Sequence, residues 1–250
     1  QTWTETMATE LKRQGHDVTI ASPRIGKFAE ERLAEFEVTN QPKMSGWDLC
    51  LVNHATAFEE LMQRVDAPTI VTCHGPTHPL EQPAPGADRY VAVSEEVSNV
   101  HWPEYEMEVV RNPVDLERFR NKNIIVEEIV NFPSVLIATK NAEIQKMCIE
   151  GCVLAGYSYS QVNYQTHPVY EMERLMAVHD IVITQGRGVY EALACDKSVI
   201  CLSNRPDGYG GWIVRADGWD VPGALEVFQE NNVKDIAQQY MAMVEEEVVA

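Results

Sequence analysis

Short runs rich in Val and Ile recur along this chain, separated by longer stretches of helical periodicity. In the first half the runs are Asp17–Ala21, Asp48–Val52, Thr69–Thr72, Arg89–Val93 and Glu108–Val110. In the second they are Ser134–Ala138, Tyr159–Tyr164, Asp180–Thr184 and Ser198–Leu202. Continuous apolar runs of this length suit strands buried on both faces of a parallel sheet. The stretches between them predict helices over Thr2–Gln14, Lys27–Glu35, Thr56–Arg64 and Ser94–Trp102, then Ala142–Ala155, Val169–His179 and Val189–Cys195, with one or two more after Val221. Gly15 stands where a helix C-cap is wanted, and Ser94 where a helix start is. Strand–helix alternation of this kind predicts an α/β fold of doubly wound sheets. Pro113 and the polar Asn121-Lys-Asn123 interrupt the pattern, so two lobes are expected, residues 1–115 and 116–250. An α/β lobe ordinarily opens on a strand, whereas Gln1–Glu10 reads as a helix; a strand preceding Gln1 is therefore expected.

Charge narrows the function classes. The net charge is −18, shared between the lobes as −10 and −8. A broad nucleic-acid-binding face carries a basic excess, and an anionic membrane repels an acidic surface, so neither partner is expected. No apolar run approaches the ~18 residues of a membrane span. The six cysteines sit mostly in apolar stretches, as in Asp48-Leu-Cys-Leu-Val52, which reads as buried free thiols and a cytoplasmic protein. Cys148 and Cys152 lie four apart, but no second pair of zinc-site spacing accompanies them.

The segment richest in chemistry is Thr184-Gln-Gly-Arg-Gly-Val-Tyr-Glu-Ala-Leu-Ala-Cys-Asp-Lys-Ser-Val-Ile200. It reads as a strand end, a glycine turn, a helix starting near Val189 and another strand, the place where open α/β sheets bind ligands. Gly186 and Gly188 let the backbone approach a bound group, and the free N–H groups of the helix start favour a diphosphate. Arg187 adds charge-assisted hydrogen bonds, and Glu191 offers a carboxylate to the two hydroxyls of a ribose. The plainer reading is a tight turn with Glu191 as a helix-start acid. Asn204-Arg-Pro-Asp-Gly-Tyr-Gly-Gly-Trp212 follows the last strong strand; Gly210 and Gly211 permit close approach to a sugar and Tyr209 offers an aromatic face, or the whole is a surface loop. His74 and His78 lie four apart, but Gly75, Pro76 and Pro79 predict a loop rather than a helical metal site, and no metal is expected.

Four segments in order resemble glycosyltransferase family 4 and its GT-B relatives. Glu191-Ala-Leu-Ala-Cys-Asp-Lys-Ser-Val-Ile200 is similar to the Glu-Ala-Met-Ala-Cys-Gly-Lys-Pro-Val-Ile signature of that family. Val110-Arg-Asn-Pro-Val-Asp-Leu-Glu-Arg-Phe119 resembles the Asn-Pro-Val-Asp segment that ends the first lobe, and Tyr90-Val-Ala-Val-Ser-Glu95 the entry to that lobe's last helix. Leu11-Lys-Arg-Gln-Gly-His-Asp-Val-Thr-Ile20 resembles the early Leu-x-x-Arg-Gly-His-x-Val element. The resemblance implies two Rossmann-like doubly wound lobes facing a cleft, and glycosyl transfer from a nucleotide diphosphate sugar, a UDP-sugar first, to an unspecified acceptor, hexosyltransferase-like, retaining and metal-independent. The donor is a substrate, and no cofactor is implied. It places Glu191 at the donor ribose, Gly186, Arg187 and Gly188 near the diphosphate, and His74 at the donor sugar; Lys140 and Arg111 are the candidate basic pair. The family's Glu-x7-Glu pair is half absent, since Ile183 stands eight residues before Glu191. The stretch from Asn141 to Asp180 is one strand–helix unit short of the family pattern. Two rival readings share these features: a non-catalytic nucleotide-sugar-binding protein and a GT-B-fold sugar-nucleotide epimerase.

Overall fold

The structure is a computed structural model that describes residues 2–120, 133–162, 169, 171–202, 212–214 and 230–248. The chain divides into two compact units, Gln1–Pro113 with Val233–Ala250, and Val114–Asn232.

In the first unit, α1 (Thr2–Arg13) leads to β1 (Thr19–Ala21), α2 (Lys27–Arg32) and β2 (Glu37–Thr39), with β1 and β2 paired in parallel. A second, wholly parallel sheet runs in chain order through β3 (Cys50–Val52), β4 (Thr69–Cys73), β5 (Arg89–Ala92) and β6 (Glu108–Val109). The helices α3 (Ala55–Glu60) and α4 (Glu95–His101) connect these strands. Every residue of β4 is buried, which is why its sequence is apolar or threonine throughout and does not alternate. Ser94 caps α4 by accepting from the Val97 N–H at 3.3 Å.

The expected division of the chain needs one correction. The last helix, α9 (Val233–Val248), belongs to the first unit and not to the second. Its stripe of Val233, Ile236, Ala237, Tyr240 and Met243 shares a core with Trp3, Met7 and Leu11 of α1 and with Ile70, Val91 and Val110. Burying a stripe of that width outweighs the chain's nearness in sequence to the second unit. Tyr240 is 1% exposed and its hydroxyl lies 2.7 Å from Thr72 Oγ1, satisfying two buried polar groups at once.

The second unit contains α5 (Leu116–Phe119), β7 (Ser134–Ala138), α6 (Ala142–Ala155), β8 (Ser158–Val162), α7 (Met172–Ala177), β9 (Ile181–Thr184), α8 (Arg187–Ala194), β10 (Ser198–Cys201) and β11 (Trp212–Val214). Its sheet has the order β8–β7–β9–β10–β11, parallel except for the antiparallel β11. The helix α6 packs on the face carrying Val135, Ile137 and Ile183, while α8 packs on the face carrying Leu136, Val182 and Val199. Asn141 caps α6 through the N–H groups of Glu143 and Ile144, and Gly156, at φ +71°, closes it in the left-handed conformation.

Several elements differ from the sequence reading. The helix expected over Thr56–Arg64 is α3 followed by a separate 3-10 turn, Met62–Arg64. The one expected over Val169–His179 is helical only over Met172–Ala177; past its end His179 Nδ1 donates to the Leu175 carbonyl at 2.6 Å. The strands β2 and β11 are additions to the expected set, and Glu37-Val-Thr39 has no continuous apolar run.

One device appears in both units. An aspartate directly before a strand accepts from the backbone N–H and the hydroxyl of the first residue of the neighbouring strand. Asp88 holds Thr69 at 2.7 and 2.9 Å, and Asp180 holds Ser134 at 2.8 and 2.9 Å. Each locks the register of a parallel pair at the amino edge of its sheet.

Candidate functional site

Strand order points to a candidate site in the second unit. Connections from β7 and from β9 leave in opposite directions, toward β8 and β10, so the sheet reverses between these two adjacent strands. A crevice opens outside the carboxyl ends at such a reversal. Thr139, Lys140 and Asn141 follow β7 there, and Gln185, Gly186, Arg187 and Gly188 follow β9.

The turn after β9 requires its glycines for two different reasons. Gly186 has φ +57° and ψ −133°, a backbone region open in practice to glycine alone, and its α-carbon faces open space. Gly188 has ordinary φ but no room: a Cβ there would lie 2.4 Å from Thr184 Oγ1. The result is a helix that starts directly off the strand end, two residues earlier than the expected Val189, with its first N–H groups beside Gly186. Glu191 is 7% exposed, and Arg187 Nε donates to its Oε1 at 2.8 Å. The sequence placed both residues at a ligand; it did not show that they hold each other, although a spacing of i, i+4 carries that signal. The pair gives the buried carboxylate a hydrogen-bond donor and orders the guanidinium beside the glycine turn. Ile183 points into the α6 face with Val135 and Ile137, so the position of the absent family acid is occupied by core.

Below this turn, Cys195 Sγ lies 3.2 Å from the Phe119 carbonyl, and burial pushes its thiol up to about 12. It is a packing residue rather than a nucleophile. Lys140 is exposed at the carboxyl end of β7. Tyr209, Gly210 and Gly211 lie outside the described residues. The described ends of that segment are fixed, however: Leu202 N–H donates to the Thr184 carbonyl at 2.8 Å, and Cys201 pairs with Trp212. Leu202 and Trp212 thus lie at the carboxyl edge of β10, next to the end of β9.

The remaining candidates belong to the first unit. His74 follows β4 and Arg111 follows β6, both half-buried at the carboxyl edge of that sheet. His74 Nε2 donates to Asn53 Oδ1 at 3.2 Å, and Asn53 Nδ2 donates to Thr4 Oγ1 at 3.1 Å. The His74 ring also meets Trp3 edge-on, with centroids 5.8 Å apart. Gly75 is confined by Glu81, whose carboxylate would lie 2.2 Å from a Cβ. Asn53, Thr4 and Trp3 were not singled out in the sequence; the only hint was that Asn53 follows a strand end. His78 sits in a loop and accepts from the Leu80 N–H at 3.3 Å. Among the described residues no group of three or more His, Cys, Asp or Glu is placed to hold a metal ion.

Neither a protein-family model nor a curated protein matches the sequence. Solved structures match the fold. One is HepE of Anabaena in complex with UDP-glucose, with a TM-score of 0.61, 13% identity, and coverage of 96% of this chain and 94% of that one. A second is AviGT4, a glycosyltransferase involved in avilamycin A biosynthesis, with a TM-score of 0.53, 14% identity, and coverage of 97% and 88%. A third is an α-glucosyltransferase in complex with UDP-glucose and DNA containing an abasic site, with a TM-score of 0.54, 10% identity, and coverage of 98% and 87%. The chain has the α/β fold of these structures, with parallel strands in the sheets of both units.

Proposed function

We propose that this chain is a glycosyltransferase that takes its sugar from a nucleotide diphosphate sugar, with the donor held at the β9–α8 turn of the second unit. The observation that carries the reading is local. A glycine turn at a helix start, a guanidinium and a buried carboxylate one helical turn on are gathered at the reversal point of a parallel sheet. The turn suits the diphosphate, Arg187 its charge, and Glu191 the ribose hydroxyls. Two of the matching structures hold UDP-glucose, which favours a UDP-sugar as donor.

In this reading the leaving nucleotide diphosphate gains negative charge as the glycosidic bond breaks. The N–H groups at the start of α8, with Arg187 and Lys140, stabilise that charge in place of a metal ion. Glu191 fixes the nucleoside end so that the bond to be broken is presented in one position. Arg187 must then serve both Glu191 and the diphosphate, which a guanidinium does through separate nitrogens. Retention of configuration, glycosyltransferase family 4 membership and a cytoplasmic location are part of the same proposal. All six cysteines are free, as a reducing compartment would leave them, and no helix among the described residues is long and apolar enough to cross a membrane.

A second reading, donor binding without turnover, is favoured by one observation: Ile183, buried at 6% exposure, takes the place of the first family acid. Calorimetric titration with UDP-, GDP-, ADP- and CMP-sugars, followed by donor turnover, separates the two. Binding of one donor that Glu191→Ala abolishes supports the site, and donor consumption supports the enzyme. Absence of binding by any of the donors overturns both readings.

A further inference from the structure

We propose that Asn53 is a positioning residue for His74, holding its imidazole as the tautomer protonated on Nε2 and fixing the ring at the carboxyl edge of the first unit's sheet. The proposal rests on the glycosyltransferase reading for the use made of that ring, and on geometry alone for the ring's state.

Three separate elements supply the chain of hydrogen bonds. Thr4 comes from the first turn of α1, Asn53 from the residue after β3, and His74 from the residue after the adjacent β4. The amide nitrogen of Asn53 is committed to Thr4 Oγ1 at 3.1 Å. Its carbonyl oxygen therefore faces His74, at 3.2 Å from Nε2. An amide oxygen only accepts, so Nε2 carries the proton, and in the neutral ring Nδ1 is the nitrogen with an accepting lone pair. With the amide held in this orientation against Thr4, Asn53 sets which ring nitrogen donates and which accepts. Trp3, 8% exposed, packs against the imidazole edge and restricts its rotation. On the glycosyltransferase reading, in which this histidine meets the donor sugar, the tautomer decides whether the ring offers a sugar hydroxyl a donor or an acceptor.

The experiment compares the unsubstituted chain with Asn53→Leu, Asn53→Asp and Thr4→Val. The His74 tautomer is read from ring 15N shifts, with the His74 signals assigned by their loss in His74→Gln. The expected result is the Nε2–H tautomer in the unsubstituted chain, a mixture in Asn53→Leu, and recovery of Nε2–H in Asn53→Asp, where a carboxylate oxygen accepts in place of the amide. Donor turnover in Asn53→Leu is expected to fall about 10- to 100-fold in kcat, with donor Kd unchanged within about twofold, and to recover in part in Asn53→Asp. Thr4→Val, which leaves the amide in place but unanchored, gives the same change in smaller measure and stands in for Asn53→Leu should that variant not fold. An unchanged tautomer in both Asn53→Leu and Thr4→Val overturns the proposal, as does a changed tautomer with unchanged kcat. The failure of the underlying reading looks different: the unsubstituted chain then neither binds nor consumes a donor, whatever its ring nitrogens show.

Discussion

Gly188→Ala tests whether the start of α8 is set by contact with Thr184. The added Cβ would lie 2.4 Å from Thr184 Oγ1 and 3.4 Å from both Cβ and Cγ2 of the same residue. Thr184 cannot simply turn away. It is 4% exposed and β-branched, so rotation about χ1 moves its methyl group toward the space that the hydroxyl leaves. Overpacking of this kind costs about 1–3 kcal/mol. Alanine in place of glycine near a helix start returns about 0.5–1 kcal/mol. The net expectation for Gly188→Ala is a loss of about 1–2 kcal/mol. In a Thr184→Ala background only the Cβ contact at 3.4 Å remains, and the same substitution becomes neutral or stabilising by up to about 1 kcal/mol. The reversal of sign is the signature, a coupling of about 1–3 kcal/mol between two residues four apart in sequence. Urea unfolding of the four proteins of the cycle measures it, provided that m is constant across them. Calorimetric donor titration on the same proteins shows whether a displaced helix start also weakens binding. Equal cost of Gly188→Ala in both backgrounds would refute the reasoning, since the strain would then lie in the backbone and not in Thr184.

The same geometry sets other outcomes. Arg187→Ala leaves the buried Glu191 carboxylate without its 2.8 Å partner and is expected to cost about 2–3 kcal/mol; the double variant with Glu191→Ala should be more stable than Arg187→Ala alone, by urea unfolding. Asp180→Ala should cost at most about 1 kcal/mol, because its carboxylate is exposed although it holds Ser134. The Ser134 N–H, ahead of its hydroxyl, Lys197 and His179, lowers the folded Asp180 pKa, so its contribution is complete above the unfolded carboxylate value of about 3.9 and disappears as pH falls through the lower folded value. The gap between the unsubstituted chain and Asp180→Ala should therefore be constant from neutral pH downward and close only in acid, as thermal melts would show. Burial pushes Cys73 and Cys195 each up to about 12, so both thiols should resist iodoacetamide near pH 8 while the protein is folded and react on unfolding, read by mass spectrometry.

The parallel sheets were legible because their central strands are buried on both faces and so carry unbroken apolar runs; Ser134–Ala138 and Ala142–Ala155 are bounded in the structure as the sequence bounds them. Asn141 and Gly156 make that helix readable, since both ends have chemical caps. The strands β2 and β11 lack the apolar run of the central strands: Glu37-Val-Thr39 has one apolar residue between two polar ones, and Trp212-Ile-Val214 directly follows Gly210 and Gly211. The allegiance of α9 could not be read either: its apolar stripe says that it packs, not against what. At the candidate site, residue types and order pointed to the β9–α8 turn. The need for glycine at Gly188, the closure of Arg187 on Glu191, and the Thr4–Asn53–His74 chain all depend on distances between residues, which no single segment contains.

The return of α9 to the first unit has a consequence for how the chain is made. Residues 114–232 form an unbroken insert within a unit built from the two flanking pieces, and the crossings are tied together by the Val114 N–H to Asn231 carbonyl bond at 2.7 Å. During synthesis the inserted unit has its whole sequence available before the unit that encloses it does. Until α9 has left the ribosome, Met7, Ile70 and Val91 lack the helix that shares their core. The unit begun first is thus the last able to finish folding.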